Sequence, residues 1–213
     1  PYTPQTLIFN AGTPGKHELV VSTDNFVFSG EDSTFSPFYD FYPFGGIFDH
    51  VTLTKVEPDE IRSIQVFPLS HETGEVEIHV ETSAATLQIA FDGVEYKTMP
   101  TEKVFRCNVP NFKVWSPDTP NLHTVTINGK DVVFGIRTLD WSGPDLLLNG
   151  EKIKLIGVNR HESHPEFGSA TPESLIATDL IMLKEAGHNF VRGSHYPQRE
   201  FLFDMCDRLG LMV

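Results

Sequence analysis

The chain is poor in basic residues and cysteines and has no long apolar run. Its 16 lysines and arginines stand against 29 aspartates and glutamates, a net charge of −13. Because no basic stripe interrupts the acidic excess, binding of nucleic acid through its phosphates is disfavoured. No segment approaches the ~20 apolar residues that a membrane helix needs. A small neutral or cationic ligand fits better, and we expect neither a nucleic-acid nor a membrane partner.

The chain holds two cysteines, Cys107 and Cys206, which lie far apart in the sequence. They read as free thiols rather than a disulfide framework, which favours a reducing compartment. We therefore expect a cytoplasmic location. The first residues, PYTPQTLIFN, read as though they continue a longer protein.

Helical periodicity is missing from the first 140 residues, where apolar residues alternate with polar ones. Turn signals such as Asp92-Gly93 and Asn128-Gly129 separate the alternating runs. This pattern predicts an antiparallel β-sandwich, with a seam near Val56–Asp59. The residues before the seam have too few strands to close a sandwich of their own.

After Trp141 the pattern becomes β-α-β-α-β. We predict strands at Lys154–Val158, Asn189–Val191 and 211–213. The first helix has Thr171 as its N-cap and Pro172 as its first residue, and Gly187 closes it. The second helix spans Glu200–Leu209, and Gly210 closes it. This alternation implies parallel strands. No GxGxxG follows the first strand, so an eight-stranded barrel is favoured over a dinucleotide fold. Such a barrel needs ~250 residues, so we expect the chain to be a fragment.

Polar residues occupy the predicted strand ends, which is where a barrel carries its chemistry. Asn159, Arg160 and His161 follow one strand, and Arg192 and His195 follow the next, in a repeat that places His161 and His195 at the same phase. Imidazoles can exchange hydrogen bonds with hydroxyls, and a guanidinium can hold a carboxylate ionised. The alternative is that these groups only close the barrel rim. Taken together, the matching phase favours function.

A metal site is not expected at His161-Glu162-Ser163-His164. The zinc-protease motif needs His-Glu-x-x-His on a helix, and here the spacing is one residue short in a loop.

Seven aromatic residues surround Asp40 in FSPFYDFYPFGGIF, residues 35 to 48. The stretch is either an aromatic edge that packs on a neighbouring domain or a sugar subsite, in which rings stack on the sugar and a carboxylate accepts from hydroxyls. The composition does not decide between the two.

Sugar hydrolysis normally needs two carboxylates, ~5–5.5 Å apart when configuration is retained. Glu162 is the acid beside the strand-end set, and no second acid pairs with it convincingly. We therefore expect the catalytic pair to lie beyond Val213.

The segment FVRGSHYP (190–197) followed by CDRLGLMV resembles the signature of glycoside hydrolase family 2, the β-galactosidases and β-glucuronidases. Four more matches occur upstream in the family's order: GGIFDHVTL (45–53), VWSPDTPNL (114–122), FGIRTLDW (134–141) and LLLNGEKIKLIGVNRHE (146–162). The resemblance covers residues 36 to 213.

This resemblance implies a mostly β chain with an α/β C-terminal part. Residues 1–58 would be the end of a jelly-roll sugar-binding domain, 59–138 an immunoglobulin-like sandwich and 139–213 the start of a TIM barrel. It implies that Asp40 reaches sugar hydroxyls, that His161 and His195 contact the sugar in the transition state, and that Arg192 keeps a nucleophilic glutamate ionised. Both catalytic glutamates would belong to later strands.

The form NRHESHP (159–165) is more similar to β-galactosidases, since glucuronidases usually have lysine after the asparagine. We therefore expect a retaining β-galactosidase, with a glucuronidase or another uronidase as the alternative. A third reading is a non-catalytic interaction module, because the 213 residues alone should hydrolyse nothing. We expect a small carbohydrate as substrate, no visible cofactor, magnesium or sodium ligands only outside this chain, and a homo-oligomeric full-length enzyme.

Overall fold

The computed structural model describes residues 5–23 and 45–213. Within these ranges the regular elements are β1 (Ile61–Pro68), β2 (Glu75–Thr82), β3 (Thr86–Phe91), β4 (Val94–Pro100), β5 (Val104–Asn108), β6 (His123–Ile127), β7 (Lys130–Phe134), β8 (Leu139–Asp140), β9 (Leu147–Leu148), β10 (Glu151–Lys152), β11 (Gly157–Arg160), α1 (Glu173–Glu185), β12 (Phe190–Gly193) and α2 (Glu200–Leu209). The chain is therefore mostly β, with both helices in its C-terminal part.

The strands β1 to β7 form two antiparallel sheets around one core. The first sheet has the order β1-β2-β5 and the second the order β4-β3-β6-β7. Apolar side chains at alternate positions of each sheet point inward, as Ile78 does on β2 and Ile89 on β3, and both belong to one buried cluster. The period-2 alternation of the sequence is thus used to bury one face of each sheet.

Two of the predicted turns form tight hairpins. Asp92 and Gly93 join β3 to β4 with φ of 51° and 79°, and Asn128 and Gly129 join β6 to β7 with φ of 48° and 84°. A turn with two positive φ angles matches the twist of the strands that it connects, and Asn, Asp and Gly tolerate it best.

The C-terminal part is built on the parallel pair β11 and β12, which α1 connects. Phe190 of β12 also forms a parallel bridge with Met212, so a third strand begins to pair on the other side. Helices α1 and α2 cover the sheet through a second core that includes Leu180, Val191 and Leu202. This is the β-α-β-α-β order that the sequence predicts.

The first barrel strand begins at Gly157, three residues later than predicted. The Asn189 side chain bonds the backbone just before Gly157, in place of a strand-to-strand hydrogen bond. Its Oδ1 accepts a hydrogen bond from the Ile156 N–H at 2.7 Å, and its Nδ2 donates to the Lys154 carbonyl at 2.9 Å. The residues just before Gly157 are therefore bound in part by this side chain, while the Ile156 carbonyl still accepts hydrogen bonds from the N–H groups of Asn189 and Phe190.

The predicted N-cap of α1 is wrong by one residue. Pro172 is the N-cap and the helix begins at Glu173, because the Thr171 hydroxyl donates to the Gly168 carbonyl at 3.3 Å. The ends predicted for α2 are confirmed: it spans Glu200–Leu209, and Gly210 closes it with a left-handed φ of 74°.

A ring of contacts around Trp115 joins the sandwich to the C-terminal part. The Trp115 indole N–H donates to the carbonyl of Asp207 at 2.8 Å, and its ring packs in a small buried cluster with Leu148 and Met212. Lys184 of α1 adds a hydrogen bond to the Pro117 carbonyl at 2.6 Å. The two parts therefore share a packed joint.

Regular structure is absent from the described residues before β1. The jelly-roll assignment for residues 1–58 and the domain bounds at 58 and 138 stay predictions. Cys107 on β5 and Cys206 on α2 are both free, as expected, and burial raises their pKa to about 11 and about 12. In the described ranges, neither helix is long and apolar enough to cross a membrane.

Candidate functional site

The parallel register of β11 and β12 brings the predicted polar residues to one edge of the sheet. Asn159 lies opposite Arg192, and the Ser194 N–H donates to the Arg160 carbonyl at 2.9 Å just after the strands end. At the other end of the pair, where both strands begin, Gly157 lies directly against the Phe190 carbonyl, and a Cβ there would collide with it.

His161 and His195 lie against each other where the two strands end. Their ring centroids are 5.3 Å apart and the ring planes meet at 82°, an edge-to-face arrangement. Arg192 joins them, with its Nη1 3.3 Å from His195 Nδ1. The strand register thus gathers the three predicted side chains into one cluster, while their roles stay predictions.

Tyr196 connects the loops that carry the two histidines. Its hydroxyl oxygen accepts a hydrogen bond from the Glu162 N–H at 2.9 Å, and its ring centroid lies 6.1 Å from that of His161. The sequence reasoning gave Tyr196 no role, because a hydroxyl that bonds a backbone group 34 positions away leaves no local signal.

The guanidinium of Arg160 is held by two carboxylates. Its Nη1 lies 2.8 Å from Glu162 Oε2 and its Nη2 lies 3.0 Å from Asp179 Oδ2 on α1. Burial lowers the pKa of Arg160, but these two partners outweigh it and the net shift is upward. The Arg160 guanidinium is therefore engaged in two ion pairs.

Glu162 is buried at 3% exposure inside this ion pair. Among the described residues, its Oε1 has no hydrogen-bond partner. A carboxylate that is buried and ion-paired is poorly placed to act on a sugar bond, which agrees with the expectation that the catalytic acids lie elsewhere.

Gln198 folds the loop after β12 back on itself. Its Nε2 donates to the Tyr196 carbonyl at 3.1 Å, and the residue is 5% exposed. A Cβ on Gly193 would lie 2.7 Å from Gln198 Cγ, so a larger residue here would push the Gln198 side chain aside. The loop that carries His195 and Tyr196 is thereby braced from inside.

Asp49 of the GGIFD segment is bound at the start of α2, a contact that the sequence did not indicate. Arg199 at the start of α2 binds it through two hydrogen bonds, from Nε to Oδ2 at 3.0 Å and from Nη2 to Oδ1 at 2.9 Å. Burial raises the pKa of Asp49, and the hydrogen bonds from Arg199 and His50 more than offset it, so the pKa lies below its usual range. Asp40, which the family resemblance predicts to bind sugar hydroxyls, lies outside the described residues, as do residues 35–44 of the aromatic stretch.

In residues 5–23 and 45–213, no three His, Cys, Asp or Glu side chains converge as metal ligands. The Nδ1 of His164 accepts a hydrogen bond from the Glu166 N–H at 3.1 Å. The expected lack of a metal in this chain stays a prediction.

A groove lies at the opposite, amino-terminal ends of β11 and β12, away from the histidines. Residues that include Pro117, Lys152 and Lys184 line it. In a barrel, that face serves stability rather than chemistry. The strand-end cluster is therefore the candidate site.

Residues 141–213 match the family model described as glycosyl hydrolases family 2, TIM barrel domain. A β-galactosidase from Thermoanaerobacterium thermosulfurigenes is 31% identical over 209 residues, which is 82% of this chain and 29% of the relative.

Solved structures of glycosidases also resemble this chain in fold. The apo structure of β-glucuronidase 3 from Bacteroides uniformis has a TM-score of 0.71 at 27% identity and covers 81% of this chain and 24% of that one. A family 2 β-galacturonidase from Eisenbergiella tayi, bound to galacturonate, has a TM-score of 0.68 at 30% identity and covers 81% of this chain and 35% of that one. The chain thus spans about a third or less of these proteins. From the match to residues 141–213 and from these relatives, the chain belongs to glycoside hydrolase family 2.

Proposed function

We propose that this chain forms part of a retaining β-glycosidase that hydrolyses terminal β-D-galactosides. The observation that carries the proposal is the cluster of His161, His195 and Arg192 at the carboxyl ends of two adjacent parallel barrel strands. Barrel enzymes act at this face.

In this proposal the three side chains support a catalytic pair rather than form one. The two imidazoles hydrogen-bond sugar hydroxyls as positive charge develops on the ring, and Asp40 binds further hydroxyls. Arg192 lies beside the glutamate nucleophile and keeps it ionised, because a nearby cation favours the charged form of a carboxyl group. The nucleophile and the acid/base glutamate come from strands after Val213.

The reaction then follows the retaining course. The acid glutamate protonates the leaving oxygen, the nucleophile forms a glycosyl ester, and water hydrolyses that ester with the first glutamate acting as base.

Galactose is the proposed glycone for two reasons. The relative of 31% identity carries the name β-galactosidase. The segment NRHESHP (159–165) is also more similar to the β-galactosidase form than to the glucuronidase form.

A uronidase is the second candidate, because the structural relatives include a β-glucuronidase and a β-galacturonidase. A panel of nitrophenyl β-galactoside, β-glucuronide and β-galacturonide on the complete enzyme separates the two. We expect kcat/KM to be highest for the galactoside. A preference for either uronide would overturn the galactose assignment.

Replacement of Arg192 or His195 by alanine in the complete enzyme tests the assigned roles. We expect kcat/KM on the preferred glycoside to fall by roughly a hundredfold or more, the usual effect of losing a group that stabilises transition-state charge. Arg62→Ala is the matched control, since Arg62 is an exposed arginine of the sandwich. Near-normal activity of both site variants would refute the roles.

The 213 residues by themselves are proposed to be inactive, because the described residues supply no catalytic pair. Turnover of a nitrophenyl glycoside by this chain would contradict that statement. If the chain works alone, the remaining possibility is an interaction module built on the sandwich.

The finer features complete the proposal. Seven strands in two sheets over one core support an immunoglobulin-like sandwich. The family resemblance and the composition support four further features. These are a jelly-roll end before the sandwich, a homo-oligomeric enzyme, a cytoplasmic location, and magnesium or sodium ligands outside this chain.

A further inference from the structure

We propose that Tyr196 is a positioning residue that fixes His161 and His195 relative to each other. The inference rests on the proposed function, in which both histidines contact the sugar. In this inference the tyrosine hydroxyl positions the two histidines and does not itself bind the sugar.

One hydrogen bond links positions adjacent to both histidines. His161 directly precedes Glu162, whose N–H donates to the Tyr196 hydroxyl at 2.9 Å, and His195 directly precedes Tyr196. The bond therefore sets the distance between the two loops at the point where the rings meet, 5.3 Å from centroid to centroid.

Both ends of this bond are held by further contacts. On one side, the Glu162 carboxylate is buried at 3% exposure and paired with Arg160, which Asp179 binds to α1. On the other side, Gln198 donates to the Tyr196 carbonyl at 3.1 Å. Because both ends of the bond are held in place, the hydroxyl fixes the position of one loop relative to the other rather than only filling space.

Catalysis is sensitive to such a link. A displacement of about 1 Å in a group that supports the reaction can cost about a hundredfold in rate. The residue that carries the hydroxyl therefore affects the reaction without touching the sugar.

The first test is Tyr196→Phe in the complete enzyme, which removes the hydroxyl and keeps the ring. We expect kcat on the preferred glycoside to fall about 10–100-fold while KM changes less than about threefold, because histidine contacts that strengthen in the transition state are the ones misplaced. Tyr96→Phe on β4 is the matched control and should keep wild-type kinetics. A purely structural role for Tyr196 would lower the melting temperature and leave kcat unchanged.

The second test needs no activity. In the complete enzyme with protonated histidine rings in a deuterated background, we expect nuclear Overhauser effects between the ring protons of His161 and His195, and we expect Tyr196→Phe to weaken them severalfold while Tyr96→Phe does not.

The two tests separate the possible failures. If the wild-type enzyme is active but Tyr196→Phe keeps both its kcat and the ring contacts, the inference is wrong and the proposed function stands. If the wild-type enzyme cleaves none of the glycosides, the proposed function fails, and the ring contacts alone decide whether Tyr196 positions the histidines.

Discussion

At the residue scale, His123 shows how a buried polar side chain is satisfied in the sandwich. The side chain is 5% exposed; its Nε2 accepts from the Lys113 N–H at 2.9 Å, and its Nδ1 lies 2.7 Å from Asp92 Oδ2. Its Nε2 also lies 3.1 Å from the Lys113 carbonyl oxygen, so both ring nitrogens have polar partners. Partial burial raises the pKa of Asp92, but the hydrogen bonds from His123 and from the Thr124 N–H outweigh it and hold the pKa below its ordinary value.

When folding lowers the pKa of a carboxyl group, the ionised group stabilises the folded protein at pH values above its unfolded pKa of about 3.9. This stabilisation is lost as the pH falls through the folded pKa. We therefore expect Asp92→Asn to reduce the free energy of unfolding by about 1 kcal/mol at pH 7. The Asp92 side chain is 45% exposed, so solvent screening keeps the effect small.

Urea unfolding at pH 7 and at pH 3 measures this difference. The gap between wild type and Asp92→Asn should narrow at the lower pH, whereas Asp59→Asn, at an exposed position, should match wild type at both. Equal stability of wild type and Asp92→Asn at pH 7 would contradict the assignment.

The strand-end residues could be predicted because local pattern is enough to locate them. His161, Arg192 and His195 follow apolar runs, and parallel strands place such ends together. Two other contacts could not be predicted: the hydrogen bond from Glu162 to Tyr196 and the ion pair of Asp49 with Arg199. Their partners lie 34 and 150 positions apart in the sequence, and no periodic pattern connects them.

At the element scale, the two helices end in similar ways but meet different surroundings. Gly187 follows α1 with φ of 86°, and open space surrounds the position where its Cβ would lie. Gly210 follows α2 with φ of 74°, and a Cβ there would collide with the Pro117 carbonyl. The first glycine serves the backbone alone, and the second also permits close packing.

We expect Gly187→Ala to destabilise the protein by about 1–2 kcal/mol through the left-handed backbone. Gly210→Ala carries the same penalty and forces the Pro117 loop apart, so its loss should exceed that of Gly187→Ala by at least about 1 kcal/mol. Parallel denaturant titrations of the two variants make the comparison. Equal losses would mean that the Pro117 contact is easily relieved.

The elements themselves follow from the sequence, and their bounds are less well predicted. The end of α2 was correct because glycine after an amphipathic run is a strong local signal. The start of β11 was wrong because the side chain of Asn189, a residue of another segment, occupies the Ile156 N–H.

At the scale of the whole molecule, the stability of the two parts is coupled through the joint around Trp115. Its ring is 1% exposed, it donates to the Asp207 carbonyl, and Arg137 lies over it at 4.9 Å from the ring centroid. A buried tryptophan in such a joint contributes to the folding of both halves.

Trp115→Ala should therefore cost about 3–5 kcal/mol. It should also separate the unfolding of the sandwich from that of the C-terminal part, which calorimetry would record as two endotherms in place of one. Trp141→Ala is the control, because Trp141 is 72% exposed. A single transition at the wild-type temperature in Trp115→Ala would show that the joint does not couple the halves.

The pair of Asp49 and Arg199 has a consequence for synthesis of the protein on the ribosome. Its two members are 150 residues apart, so at 5–20 residues per second the aspartate is made roughly 8–30 s before the arginine. During that interval the GGIFD segment lacks its partner, and Ile47, which remains 54% exposed after docking, is open to chaperones. The order of translation thus delays this contact until the start of α2 has been made.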